Sequence, residues 1–330
     1  MPTVPETMRA AAIERFGGPE VLQVMQLPVP VPAAGEVLIA VNTAGVGGWD
    51  ADMRAGWWPG RKPRFPIVLG TDGSGTIAAV GPRVRRFAEG ERVYAYSFAN
   101  PKGGFYAEYV AVPAEYTAPV PEVLDLVKAG AIPAVGLTAL QGMDDVLRLK
   151  RGETIIIHGA SGGVGTIAVQ FAKLRGGLVL ASASGSDGVA LVRRLGADHA
   201  VDGHSADVLA AARSFAPDGV DAVLALADGE ALTQCLAALK PGGLVAYPHG
   251  VEPAPRKRRG IEVTGYDAIP GVKEFRRLGR AIEAARLKVP IAEAFPLEEA
   301  SRAHERVAAG HVLGKIVLRI RQGRRRQTSR

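Results

Sequence analysis

The sequence predicts an α/β protein in two parts, a β-rich, barrel-like N-terminal unit and a parallel, doubly wound sheet. Three observations predict this. From Met8 to about Glu122, short apolar runs are separated by Pro and Gly, with no long helical period. After Pro121, strand-like and helix-like patterns alternate, the arrangement that builds a parallel sheet with helices on its faces. The strongest of the three is Glu153 to Leu174, E-T-I-I-I-H-G-A-S-G-G-V-G-T-I-A-V-Q-F-A-K-L, where a strand turns through glycines into a helix.

The N-terminal unit reads in order as Val37–Val41, apolar pieces within Ile67–Val80, Arg92–Tyr96 and Ala107–Val112. Prolines 28, 30, 32, 59, 63 and 66 suit edges and loops. Leu124–Leu147 reads as helix interrupted at Pro133. Thr154–His158 is a β-branched run suited to a strand buried on both faces, and Val164, Ile167, Ala168, Phe171 and Leu174 then recur at helical steps. Beyond it come strand Leu178–Ala181, helix Val189–Leu195, strand Ala200–Asp202, helix Ala206–Phe215 and strand Val220–Leu226. Helix Ala231–Leu239 is expected to stop at Pro241-Gly242-Gly243, before strand Leu244–Tyr247. Helix Lys273–Arg286 and strand Lys315–Ile320 close the pattern.

The glycine turn carries the functional signal. A strand passing tightly into a helix leaves free backbone N–H groups at the helix start, where the macrodipole favours anions. Glycines admit a pyrophosphate close to that backbone. Ser161, Gly162, Gly163 and Val164 are therefore candidate N–H donors to a dinucleotide.

Composition bounds the rest. The 330 residues are 47% hydrophobic and 22% charged, as in a globular protein. No apolar run reaches the ~18–20 residues of a membrane helix. Met1–Arg9 lacks the layout of a secretory signal, so the cytoplasm is the expected location. Cys235 is the only cysteine, which excludes an internal disulfide and a cysteine-rich zinc site. Of the net charge of +7, six arginines fall in residues 319–330 and leave about +1 elsewhere. A second basic run, Arg256–Arg259, has no interleaved aromatics, so nucleic acid is not an expected partner.

The motifs taken together resemble the zinc-free quinone oxidoreductase branch of the medium-chain dehydrogenase/reductase superfamily. They run from Met8-Arg-Ala-Ala and Phe16–Leu22 through Pro32–Leu38, Ala44-Gly-Val with Asp50, Pro66–Gly81, Gly104–Tyr109, Gly136–Ala139 and the 159–165 turn to Leu195–His199 and Gly314–Leu318. The resemblance implies a Rossmann doubly wound parallel sheet, residues 123–267, inserted in a GroES-like β-barrel domain of residues 1–122 and 268–330. It also implies a homodimer paired through the edge strand Ile261–Gly265.

Where zinc-dependent relatives place Cys and Gly-His-Glu, this chain has Gly47 and Gly70-Thr71-Asp72, so no metal is expected. At the place of the acid that binds ribose hydroxyls in NAD-preferring relatives stands Ala183, flanked by Ser182 and Ser184. Both serines are expected to hydrogen-bond a 2′-phosphate, so NADPH is expected over NADH. His204, Arg193 and Arg194 are the nearby sources of positive charge. By the same resemblance Thr138, Tyr247, His249, Leu313 and Lys315 contact the cofactor; Asp50 and Trp49 are the candidate substrate-pocket residues, Trp49 with Trp57 and Trp58 offering flat rings on which a planar substrate can stack. No general acid emerges. The expected activity is zinc-independent hydride transfer from NADPH to a quinone or similar conjugated carbonyl. The alternatives are a C=C-reducing enoyl or alkenal reductase, and a cofactor-binding protein without turnover.

Overall fold

The computed structural model describes residues 4–59 and 63–321. The N-terminal part holds β1 (Thr7–Ile13), β2 (Gln23–Pro28), β3 (Glu36–Val46), α1 (Gly48–Ala55), β4 (Ile67–Val68), β5 (Asp72–Val80), β6 (Arg92–Tyr96), β7 (Tyr109–Pro113) and β8 (Thr117–Pro119). Strands β2, β1 and β4 form one sheet in that order. β3 is the axis of the larger sheet, because Val37–Ala40 pair with β5 on one side and β7 on the other. Its apolar side chains are therefore buried from end to end, and it carries the chain into Gly47 and α1 at the cleft.

The middle part begins with α2 (Leu126–Gly130) and α3 (Pro133–Gln141). Pro133 is accommodated in the first turn of α3, where its missing N–H has no partner to lose. There follow β9 (Thr154–His158), α4 (Gly163–Leu174), β10 (Leu178–Ala183), α5 (Gly185–Arg194), β11 (His199–Asp202), α6 (Val208–Phe215), β12 (Val220–Ala225), α7 (Glu230–Ala237), β13 (Leu239–Pro248) and β14 (Glu262–Tyr266). The six strands are parallel in the order β11-β10-β9-β12-β13-β14. The order reverses beside β9, so a crevice opens at its C-terminal end, the usual ligand position in such sheets.

Both faces of this sheet are covered. Ile155 and Ile157 face a core shared with Phe171 of α4 and with Phe275 and Leu278 of α8 (Val272–Ala285). Ile156 points the other way, into a core with Val208 of α6 and Leu232 of α7. α8 also meets the barrel, since Phe275 stacks edge-on against Tyr94 at 5.2 Å. The chain then returns through β15 (Ile291–Pro296), α9 (Ala300–Ala308) and β16 (Lys315–Arg319), and β16 pairs with β3 to close the larger sheet. Among the described residues no helix is long and apolar enough to cross a membrane.

Several expectations need correction. The segment between β3 and β4 holds α1, a short helix that the tryptophan-rich sequence does not announce. The Leu124–Leu147 segment is interrupted before Pro133 as expected, giving α2 and α3, but it ends in a π-helical turn at Gly142–Val146 rather than in α-helix. α5 starts at Gly185, four residues before the expected Val189, and α7 ends at Ala237, so Pro241-Gly242-Gly243 lies within β13 rather than before it. β15 and α9 were not anticipated. Arg324, Arg325, Arg326 and Arg330 of the basic tail lie outside the described residues, while Arg256–Arg259 form an exposed loop.

Candidate active site

The start of α4 is built as a cradle. Gly159, at φ +78°, turns the chain out of β9, and its N–H and that of Ala160 donate to the Ser182 carbonyl at 3.1 and 3.0 Å. A Cβ on Gly165 would lie 2.4 Å from the Gly159 carbonyl oxygen, so only glycine lets helix and strand approach this closely. A Cβ on Gly162 would meet only that same oxygen, at 3.5 Å, which leaves open space above it. The first helical bond runs from Thr166 N–H to the Gly162 carbonyl at 3.0 Å. The preceding amides of Gly163, Val164 and Gly165 have no intrahelical acceptor and can face an anion. The residues fit a pyrophosphate.

The C-terminal strand reaches into this cradle. Gly314 N–H donates to the Ser161 carbonyl at 2.9 Å, and Leu313 lies against Gly188 of α5. The next residue, Lys315, is only 5% exposed. Its aliphatic stem runs beside Gly163, its Nζ donates to the Val46 carbonyl at 2.9 Å, and the charge sits 5.2 Å from the centre of the Trp49 ring. One lysine thus touches the phosphate cradle, the end of β3 and the start of α1.

Trp49 explains Gly47. A Cβ at position 47 would lie 2.5 Å from the indole, which is held by its Nε1–H donating to Thr71 Oγ1 at 2.7 Å. The ring fills the space that a ligand side chain at position 47 would need. With Gly47 empty of donors and the Thr71 hydroxyl engaged, these residues do not form a zinc site. Among the described residues no group of three or more His, Cys, Asp or Glu could hold a metal ion. Of the other tryptophans, Trp57 is exposed beside Phe98 and Trp58 packs on the barrel core.

Behind Trp49 runs a directed hydrogen-bond chain that sequence reasoning missed. Arg54 Nη1–H donates to His304 Nδ1 at 2.9 Å, which leaves Nε2–H facing the Tyr106 hydroxyl at 3.2 Å. Tyr106 donates to Asp50 Oδ2 at 3.2 Å, and the Gly47 N–H donates to the same oxygen at 2.9 Å. Burial, followed by the Arg54 charge, pushes His304 down to about 3, which fixes it neutral. Burial drives the Asp50 carboxyl up to about 7 against the opposing Gly47 N–H and Lys315. Asp72 is likewise raised by burial and opposed by Lys315, with the Ala134 N–H on its Oδ2 at 2.9 Å. Asp50 Oδ1 and Asp72 Oδ1 are buried without a partner.

At the end of β10 the two serines separate. Ser182 is 1% exposed, with its hydroxyl 3.2 Å from His158 Nδ1. The expectation that Ser182 hydrogen-bonds a 2′-phosphate is therefore corrected: Ser182 lies inside β10 and is packed inward, whereas β10 ends at Ala183 and Ser184 opens α5 as its N-cap. Ser184 points out, with its Oγ 3.1 Å from His204 Nε2 and 2.9 Å from His311 Nδ1. Its N–H donates to Ser161 Oγ at 3.1 Å, which ties this corner to the cradle. His311 was missed; it arrives from a loop more than a hundred residues away. Arg193 instead donates to the Ala200 carbonyl.

Thr138 is 8% exposed, and its hydroxyl donates to the Ala134 carbonyl at 2.8 Å within α3. Tyr247, half-buried, and exposed His249 stack edge-on at 6.1 Å, with His249 Nδ1 2.9 Å from Asp267 Oδ2.

Comparison with known proteins places this geometry in a family. Residues 33–122 match the family described as alcohol dehydrogenase GroES-like domain, and residues 195–318 the one described as zinc-binding dehydrogenase. The latter segment contains neither Gly47 nor Thr71, so its name does not speak to them. A quinone oxidoreductase of Mus musculus is 32% identical over 96% of this chain and 99% of its own length. A solved NAD-dependent alcohol dehydrogenase superposes with a TM-score of 0.88 at 31% identity, covering 95% of this chain and all of that one. A mycobacterial protein solved in complex with NADPH gives 0.84 at 30%, over 95% and 100%. The chain belongs to the medium-chain dehydrogenase/reductase superfamily. Within it, it falls in the quinone oxidoreductase branch and is an enzyme of that oxidoreductase type.

Proposed function

We propose that the protein is a zinc-independent, NADPH-dependent oxidoreductase that reduces a quinone or a similar conjugated carbonyl. The observation that carries this reading is the glycine cradle of α4 with Lys315 and Trp49 beside it, at a place where no zinc ligands converge. When bound, the nicotinamide supplies the hydride. The amides of Gly163 and Val164 hold the pyrophosphate, with Ser161 and Gly162 shaping the turn, and Lys315 adds positive charge at the same place. Leu313, Thr138, Tyr247 and His249 line the path from the cradle along the crevice. Trp49 offers a flat apolar wall on which a planar acceptor stacks, and Asp50 anchors that wall from behind. A conjugated acceptor spreads incoming charge over its own π system, so a few donors suffice without a Lewis acid.

NADPH is favoured because Ala183 presents no carboxylate to a ribose 2′-hydroxyl while Ser184 presents a hydroxyl. The cofactor unit spans about residues 123–267, with α8 packed between it and the barrel. We further propose a cytoplasmic homodimer. β14 is the outer strand of its sheet and offers a free edge for two-fold pairing.

The test is NADPH oxidation by 1,4-benzoquinone compared with an α,β-unsaturated aldehyde, in chelator-treated enzyme. Faster turnover on the quinone supports the reading; faster turnover on the aldehyde gives the C=C reductase instead. Tight cofactor binding with turnover on neither gives the binding protein.

A further inference from the structure

The corner beyond the cradle gathers two imidazoles and two carboxylates around one serine. Ser184 Oγ lies between His204 Nε2 at 3.1 Å and His311 Nδ1 at 2.9 Å, and the far nitrogen of His311 is 3.0 Å from Asp187 Oδ2. Asp202 sits beneath, accepting the N–H groups of Gly185 and His204 at 3.1 Å each and the Ser205 hydroxyl at 2.9 Å. The cluster is open to solvent; the His311 side chain is 46% exposed and that of Asp187 59%.

From every element around it, the facing charges are few. α5 contributes Asp187, and β11 contributes Asp202. α9 contributes Arg306, whose guanidinium is spent on the carbonyls of Gly310 and His311 and on Glu293 of β15 at 3.4 Å. β9 contributes His158, buried, pushed toward neutrality by that burial, and hydrogen-bonded to the Ser182 hydroxyl and the Asp228 carbonyl. Arg193 is turned to β11. Both carboxylates are held ionised, Asp187 chiefly by His311 and Asp202 chiefly by the His204 N–H. With neutral imidazoles, this corner repels a phosphate.

We propose that His204 and His311, bridged by Ser184, form a proton-operated 2′-phosphate site, so that the enzyme selects NADPH over NADH only while these imidazoles are protonated. Imidazole is the side chain whose charge changes around neutral pH. Protonated, both rings donate to Ser184 Oγ, which has two lone pairs for them, and its own O–H turns out toward the phosphate. The two added charges offset Asp187 and Asp202. Deprotonated, the corner keeps two carboxylates that suit plain ribose hydroxyls better than a phosphate.

This rests on the NADPH reading, and one experiment separates the two. Dissociation constants for NADPH and NADH are measured by fluorescence between about pH 6.5 and 8.5, above the ~6 second pKa of the phosphate itself. Each proton taken up with NADPH changes affinity by at most about tenfold per pH unit, so the NADPH:NADH preference is expected to fall about tenfold or more across the range. The double variant His204→Gln/His311→Gln is expected to lose both the preference and its pH slope, and His311→Lys to keep the preference at the alkaline end. A wild-type preference for NADPH that is flat with pH, or one that survives in the double glutamine variant, overturns the histidine site and leaves the NADPH reading standing. A wild type that favours NADH throughout overturns both.

Discussion

The indole of Trp49 occupies the volume that any side chain at Gly47 would claim, at 2.5 Å from where its Cβ would sit. The ring is fastened to Thr71 and lies under the Lys315 charge, so it does not yield freely. Gly47→Asn is therefore expected to cost roughly 1–3 kcal/mol by overpacking, read from urea unfolding, and to shift tryptophan emission. Unchanged stability and emission would show that the ring moves aside without penalty.

Two glycines of the cradle are predicted to behave differently. Gly165→Ala drives a methyl onto the Gly159 carbonyl at 2.4 Å and should destabilise the fold by about 2 kcal/mol or more. Gly162→Ala meets a single atom at 3.5 Å, so its melting temperature should hold while NADPH affinity drops, because the methyl enters the space reserved for phosphate. If Gly162→Ala binds NADPH as the wild type does, the pyrophosphate lies elsewhere.

Lys315 serves both the cradle and the buried carboxylates. Lys315→Met removes the cation that opposes the raising of Asp50 and Asp72. NADPH binding is expected to weaken about tenfold or more, the size of one charge-assisted contact. Titration calorimetry giving an unchanged Kd would remove Lys315 from the cofactor site.

Asp50 predicts a pH dependence of stability. Its ordinary value is 3.8 and its value in the fold about 7, so the folded protein binds the proton more tightly than the unfolded chain does. The stability contributed by that proton is complete below about pH 4 and is lost as pH rises through about 7. Asp50→Asn keeps an acceptor for the Gly47 N–H and the Tyr106 hydroxyl but cannot ionise. Relative to wild type it should gain roughly 2–4 kcal/mol between pH 5 and pH 9. Parallel stability curves for the two proteins across that range would contradict the assignment.

What the sequence revealed follows from which interactions are local. The β9–turn–α4 unit was legible because strand run, glycines and helical period all lie within some twenty consecutive residues. Gly47 and Thr71 were legible as the absence of ligand atoms. The chain Arg54–His304–Tyr106–Asp50 was not, because it joins residues up to 250 apart that carry no common spacing. His311 was hidden for the same reason, although it precedes Leu313-Gly314-Lys315 by only two positions. Ser182 and Ser184 show another case: two positions apart, they would share one face of a continuous strand, and they part only because β10 ends at Ala183 and Ser184 begins the turn into α5, a boundary the sequence pattern placed four residues too late. α1 was obscured by Gly47, Gly48 and three nearby tryptophans, a composition that says loop until Asp50 caps the helix with its own side chain.

The most direct measurement is turnover of NADPH with 1,4-benzoquinone by wild type and by Gly162→Ala, each stripped of metal with chelator. The wild type is expected to turn over without zinc, and the variant, still folded, to need far more NADPH to reach the same rate. Turnover that appears only when zinc is restored, or a variant indistinguishable from wild type in its NADPH requirement, would contradict the proposed function.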